Sequence, residues 1–550
     1  MAKLWDVIVV GGGHNGLAAA AYLARQGLSV KVCEARHVIG GAAVTEEFHP
    51  GFRNSVCSYL VGMLSPRVVA ELELVKFGLQ VVPRPAEGFY PQPDGRHLLY
   101  TTDHADFARQ LEAFHKGDGA GFERYDREVN EVAAIVQLLM ERTPPNLDAR
   151  IGDLVSAAGL AMKARKLSGR ARAILARMMT SSVADFLDGY FAGDAVKGAF
   201  GYLAAVGNLQ SPRAGGSAYV LLHHSFGELN GNQGAWGHAI GGMGAVSGAI
   251  AKSAMASDAE IEVSAPVAKI KTRDGRAAGV VLADGREFDA KTVVANLNPK
   301  LLYGNLVDPG LLPDDLKTDI GNYRCKSGTF RMNVALAELP DFTALPGKAQ
   351  ARHHGSSIII SPSIDYLERA YLDAKDGAWA KKPMIEMWIS STVDKTLAPE
   401  GKHVASLFAQ HFHPNLSGKR SWDRHREKVA DLIIRTMGEY APNFPGSIIA
   451  RQILSPLDLE RQFHLVGGDI FHGAMHLDQI FSMRPVPGFA DYRTPVPGLY
   501  LCGAGAHPGG GVTGLPGRGA ARELLRDLSS IWPRKQQRGS RRPPPGGAGK

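Results

Sequence analysis

Unbroken apolar runs alternate with glycine-rich breaks at the head of the chain. Val7-Ile8-Val9-Val10 lacks polar alternation, the pattern of a strand buried on both faces. Beyond three glycines, Leu17, Ala20, Ala21 and Ala24 recur at i, i+3, i+4 and i+7, which predicts a helix with a narrow apolar face. Gly27 ends that helix, and 29–33 reads as a second parallel strand. Further on, 261–263, 267–271, 279–282 and 292–296 predict strands, with Asp274-Gly275 and Asp284-Gly285 as hairpin signals. Before them Gly241-Gly242-Met243-Gly244 opens a helix with Met243, Val246 and Ile250 on one face. Near the end, 499–502 is another buried strand, running through a glycine-rich turn into a helix over 518–528.

The long segments between these pieces read differently. Helical patterns cover 105–114, 126–141 and 171–186, and strands are expected at 329–337, 356–360, 384–390 and 403–411. That mixture predicts a sheet roofed by helices. The chain is therefore expected to build one unit from 1–62, 234–300 and 481–530, interleaved with a second from 63–233 and 301–480. The remainder, 531–550, is rich in Pro, Gly and Arg and predicts a disordered basic tail.

The first glycine break carries chemistry. Gly11, Gly13 and Gly16 fit the G-x-G-x-x-G fingerprint of a dinucleotide-binding turn, between a strand and a helix. Gly11 permits the tight turn, Gly13 lets a pyrophosphate approach the backbone, and Gly16 allows close helix–strand packing. The helix N-terminus, with His14 and Asn15, faces the phosphates. Glu34 ends the second strand 18 residues after Gly16, where a carboxylate can take both ribose hydroxyls and would repel a 2′-phosphate.

Past Glu34 and Ala35 comes a second doublet, Gly40-Gly41-Ala42, and near the C-terminus Gly503-Ala504-Gly505-Ala506-His507-Pro508-Gly509-Gly510-Gly511-Val512-Thr513-Gly514. These residues resemble the amine oxidase and phytoene desaturase superfamily of flavoproteins. Within it they resemble the pyridine nucleotide-disulfide oxidoreductase domain-containing group, cousins of retinol saturases and desaturase-like carotenoid ketolases. The likeness also runs through 219–224, 234–237, 241–244 and 397–401. It implies an α/β fold: a Rossmann-type FAD-binding domain (of the GR2 flavoprotein type) with an interleaved α+β substrate domain. It further implies that Gly40, Gly41 and Ala42 approach the pyrophosphate, and that Val267 meets the adenine through its backbone. Gly503, Ala504, Val512 and Thr513 would hold the flavin end. Many such proteins have Asp where this chain has Ala504, so backbone groups are expected to do that work.

Composition changes the picture little. The 550 residues are 45% hydrophobic and 21% charged, ordinary for a globular protein. The net charge of +8 is mostly the tail's six basic residues, which argues against a specific nucleic-acid groove. Cys33, Cys57, Cys325 and Cys502 form no C-x-x-C motif, so dithiol chemistry is not expected. With a strand starting by Trp5 and no run of 18 apolar residues, the chain reads as cytoplasmic, with peripheral membrane contact left open. Animal members of the group it resembles are mitochondrial.

His507, Trp236, His238 and Tyr219 are the candidate catalytic residues, because their motifs border the flavin's reactive end. Two readings stand for His507, a turn cap or a direct contact; His223, His224 and His238 also read as ordinary buried or rim histidines. His353-His354 and His411-x-His413 lack completing ligands, so no metal is expected. In amine oxidases a lysine on the corresponding strand positions a water beside the flavin; here 329–334 places Arg331 there. A guanidinium is not a tunable base, which disfavours amine oxidation and leaves a salt-bridge role as the alternative. The expected reaction is hydride abstraction from an apolar, isoprenoid or lipid-like substrate, with oxygen or a quinone as electron acceptor. Ketolase or saturase chemistry, and a flavin-binding regulatory protein of little turnover, remain alternatives.

Overall fold

The computed structural model describes residues 3–146, 159, 162, 165, 167–229 and 231–531. The expected tail lies outside the described residues except for Ile531. Two seven-stranded sheets organise the rest.

In the first sheet, β1 (Leu4–Val10) lies between β2 (Val30–Cys33) and the strand Glu287–Ala295, parallel to both. Val10 stands opposite both Cys33 and Ala295. Glu260–Glu262 extends the sheet beyond β2, and Leu499–Leu501 pairs in parallel with the end of Glu287–Ala295. Val267–Arg273 and Arg276–Leu282 complete an antiparallel meander on the other half of that strand. The carboxyl ends of the parallel strands therefore converge on one edge, where open α/β sheets bind ligands. The helix α1 (His14–Ala24) covers them with alanines. The helix Leu515–Ile531 comes so close that a Cβ on Gly517 would lie 2.1 Å from the Asn15 carbonyl.

The second sheet runs Ile448–Leu454, Phe330–Leu336, His403–Phe412, Trp379–Trp388, Ser357–Ile360, Gly88–Pro91, His97–Tyr100. Period-two alternation divides its faces. Phe330, Met332, Val334, Leu407, Ile385 and Met387 join the core that receives Val429, Ile433 and Met437 of the helix Trp422–Gly438. The intervening Arg331, Phe408 and Glu386 occupy the opposite face. They stand directly across from one another on three adjacent strands.

Two helices differ from the periodicity reading. The one expected over 126–141 starts at Asp118, after Gly117 takes φ +95°. The one expected over 171–186 is two, Gly169–Thr180 and Val183–Asp188. Ser181 is extended, and the Ser182 hydroxyl accepts from Asp185 N, an N-cap that restarts the helix.

Candidate active site

The glycine turn between β1 and α1 is shaped by backbone proximity. Gly11 has φ +96°, and a Cβ on Gly16 would lie 2.2 Å from the Gly11 carbonyl. A Cβ on Gly13 would lie 2.8 Å from Asn296 Nδ2. Gly40 N donates to the Gly12 carbonyl at 2.8 Å, so the second doublet docks on the first. Gly41, with φ +56°, would bring a Cβ to 3.2 Å from Gly13 Cα. Glu34 is buried at the end of β2, accepting from Gly12 N at 2.6 Å and Arg36 N at 2.8 Å. A groove opens here, lined by Gly11, Gly13, His14, Asn15, Glu34, Ala35, Gly41, Ala42 and Val267. The first-turn amides of α1, which no helical carbonyl takes, lie at its floor.

The C-terminal loop closes one end. Gly503 packs on Leu297, where a Cβ would lie 3.0 Å from the carbonyl. Ala504 lines the groove, and its carbonyl accepts from Arg484 Nε at 3.1 Å and Nη2 at 2.6 Å. Arg484 is fully buried and spends its other donors on the carbonyls of Phe471, Gly473 and Gln479. This cation fixes the turn that lacks an acidic side chain. Sequence reading passed over it, although a lone arginine inside the apolar stretch 480–486 was its signal.

A second cavity adjoins the first. His14, Ala42, Leu465, His472 and Ala504 line both, so the groove that starts at Glu34 and the cavity under the second sheet share one wall. Burial lowers both junction imidazoles to about 4, with a contribution at His472 from the Arg484 charge. Both rings are therefore neutral at pH 7, and His14 Nε2 and His472 Nδ1 are unpartnered among the described residues. His472 holds φ +57°, a conformation rare outside glycine and typical of sites that constrain the backbone. Leu60, Met63, Val206, Phe408, Phe471 and Trp236 make the second cavity largely apolar. The Trp236 indole lies over Gly62, where a Cβ would reach its ring at 2.1 Å, and is nearly parallel to His224 at 6.2 Å.

One polar strip crosses this apolar wall. Glu386 accepts from the Tyr59 hydroxyl at 2.7 Å and the Ser357 hydroxyl at 2.6 Å. Arg84 Nη1 donates to Ser357 at 2.6 Å, and its Nη2 pairs with Glu87. Arg331 donates from Nη2 to Ser406 at 3.2 Å and lies 4.4 Å over the Tyr59 ring. Among the described residues it has no carboxylate within ion-pair distance, so the salt-bridge alternative for this residue falls: its cross-strand neighbour is a phenylalanine.

The chain matches the model of the flavin-containing amine oxidoreductases over residues 16–329. It is 41% identical to pyridine nucleotide-disulfide oxidoreductase domain-containing protein 2 of Rattus norvegicus, covering 96% of this chain and 94% of the relative. The chain belongs to this flavin oxidoreductase family. It is also 26% identical to one component of the limonene dehydrogenase of Castellaniella defragrans, over 96% of each chain. A crystal structure of an oxidoreductase from Methanosarcina mazei shares the fold at TM-score 0.59 and 15% identity, covering 94% of this chain and 99% of that one.

In this flavin-dependent oxidoreductase, the residues singled out from sequence fall into four places. Gly11, Gly13, His14, Asn15, Glu34, Ala35, Gly41, Ala42, Val267 and Ala504 line the groove. Trp236 and Val512 line the apolar cavity. Gly16, Gly40, Gly503 and Thr513 support the groove and loop from behind, Thr513 accepting from Leu515 N at 3.1 Å. The remaining three lie away from the cavity lining. His507 is buried beside Phe481 and near the last carbonyls of the helix Asp118–Met140. Tyr219 packs among Phe471, Met475 and Ile480. His238 Nε2 lies 3.2 Å from Asp394. Burial opposes ionisation of that Asp394, but donors from His238, Thr396 and Gly241 hold its carboxyl well below the usual range. The His353 and His354 rings lie 3.9 Å apart and tilted, with Phe342 at 6.0 and 6.5 Å, within the core of the second sheet. Among the described residues, no helix is long and apolar enough to cross a membrane.

Proposed function

We propose that the protein is an FAD-dependent dehydrogenase that takes hydride from a C–H bond of an apolar small molecule. The observation that carries this reading is the shared wall: a dinucleotide groove and an apolar cavity meet at His14, Ala42, Leu465, His472 and Ala504. FAD is preferred to a mononucleotide because the groove begins at a dinucleotide turn with a ribose-binding acid, Glu34. The groove's geometry fits the group: glycines stand where a Cβ would obstruct, and open helix amides await phosphates. Bound flavin supplies a two-electron acceptor.

The chain's own residues then have separable tasks. Glu34 and the turn hold the adenosine end, while Arg484 fixes the Ala504 turn. Neutral His14 and His472 border the junction without placing a charge there. Trp236, Phe408, Leu60 and Met63 exclude water and shape the pocket. The limonene dehydrogenase component, a relative named for a hydrocarbon substrate, supports an apolar donor. Oxygen or a quinone is the acceptor we infer for reoxidation.

The test is anaerobic mixing of the yellow protein with limonene, with a fractionated lipid extract and with NADH. Bleaching of a band near about 450 nm by limonene or by a lipid fraction supports the dehydrogenase. Bleaching by NADH alone replaces it with a saturase or oxygenase. No bleaching by any of the three favours a flavin-binding protein of little turnover.

A further inference from the structure

Arg331 is 1% exposed and faces the apolar cavity, yet two of its three guanidinium nitrogens, Nε and Nη1, have no partner among the described residues. Its one hydrogen bond there is to the neutral Ser406 hydroxyl. The other charged groups of the wall are already paired or hydrogen-bonded. Both Glu386 oxygens accept from hydroxyls, Tyr59 and Ser357, and Arg84 is neutralised by Glu87. Glu386 sits two strands from Arg331, on the far side of Phe408, roughly 10 Å away by the spacing of strands. Among the described residues, Arg331 is thus a buried cation of the cavity without a counter-ion, inside walls otherwise suited to hydrocarbon.

Burying such a charge is costly unless an anion and hydrogen bonds compensate it. A pure hydrocarbon would leave the cost standing. A carboxylate would remove it through charge-assisted hydrogen bonds, which are about twice as strong as neutral ones. We propose that the cavity binds an apolar carboxylic acid, its carboxylate docked on Arg331 and its chain packed against Phe408, Trp236, Leu60 and Met63. Arg331 is then the specificity-determining residue of the pocket. This inference rests on the reading of the cavity as the substrate pocket.

The experiment is calorimetric titration of the flavin-loaded protein with decanoate, 1-decanol and acetate, for the natural chain and for Arg331→Gln and Arg331→Lys. Decanoate is expected to bind at least about tenfold more tightly than 1-decanol to the natural chain. Arg331→Gln is expected to erase that preference while keeping the affinity for 1-decanol, and Arg331→Lys to retain part of it. Equal binding of the two ten-carbon ligands overturns the proposal, and this comparison needs no variant to fold. So does a preference that survives in Arg331→Gln, or an Arg331→Gln change confined to flavin content. Acetate binding as tightly as decanoate overturns the apolar pocket itself and leaves only an anion site. Selective decanoate binding with no bleaching on anaerobic mixing sinks the dehydrogenase reading while the docking role stands.

Discussion

The groove and the cavity are built by opposite means. In the groove, the decisive contacts are backbone to backbone. Gly16 against the Gly11 carbonyl, Gly40 N on the Gly12 carbonyl and Gly41 against Gly13 leave no room for side chains. In the cavity, side chains from distant segments make the wall: Tyr59, Trp236, Arg331, Glu386 and Phe408 meet only through the second sheet and the loops above it. The contrast shows what each half recognises. On the function proposed above, a phosphate-bearing cofactor is read by amides and absent Cβ atoms, and the substrate by shape and the Arg331 charge.

The largest effect that would sharpen the contrast lies in the groove. Gly16→Ala forces a Cβ onto the Gly11 carbonyl 2.2 Å away, with the Asn296 side chain 3.0 Å off. The expected cost exceeds about 3 kcal/mol, read as loss of bound flavin and an early thermal transition. A variant with full flavin content and unchanged unfolding would mean that the turn is not packed this way.

The junction between the two regions gives a pH-dependent effect. His14 and His472 have pKa values near 4 in the fold, whereas unfolded histidine titrates near 6.5. Between those values the unfolded chain binds more protons, so stability rises with pH and is lost as pH falls from about 6.5 toward 4. Each of the two is expected to contribute about 1 kcal/mol per pH unit in that window. Asp469, raised to about 6 by burial, works in the opposite sense below pH 6, while His224, His353, His411 and His507, lowered by burial in the same way, add to the loss at low pH. Thermal unfolding at pH 5 and pH 7.5 checks the sign; equal stability would place these imidazoles in water.

The smallest effect belongs to the cavity. Trp236→Leu removes the indole over Gly62 and is expected to weaken 1-decanol binding by about tenfold, or about 1.4 kcal/mol, with flavin content unchanged. Loss of flavin instead would merge the two regions into one functional unit.

This division also governs how much was legible in the sequence. The Rossmann-type fold and the flavin family were readable because Gly11 to Gly16, Glu34, Gly40-Gly41 and Gly503 to Gly514 answer steric demands that few other residues meet. The pocket was not readable in the same way. Arg331, Glu386 and Phe408 are brought opposite one another by strand register, which is set by pairing between separate segments rather than by local spacing. His472 and Arg484 sit in irregular backbone with no periodicity to mark them. His507, His238 and Tyr219 were singled out by nearness in sequence to glycine motifs, which says nothing of side-chain direction, and none of them lines the groove or the cavity described above. The fold sends His507 toward a helix end and His238 toward Asp394.

The most direct test of a single continuous site is the visible spectrum of the purified protein, recorded before and after saturation with decane and paired with the mass of the released cofactor. The account predicts one FAD per chain, bands near about 370 and 450 nm, and a shift of those bands when an apolar ligand fills the adjoining cavity. A colourless protein that cannot be reconstituted with FAD would contradict the account. So would a flavin spectrum that decane leaves unchanged while calorimetry records its binding.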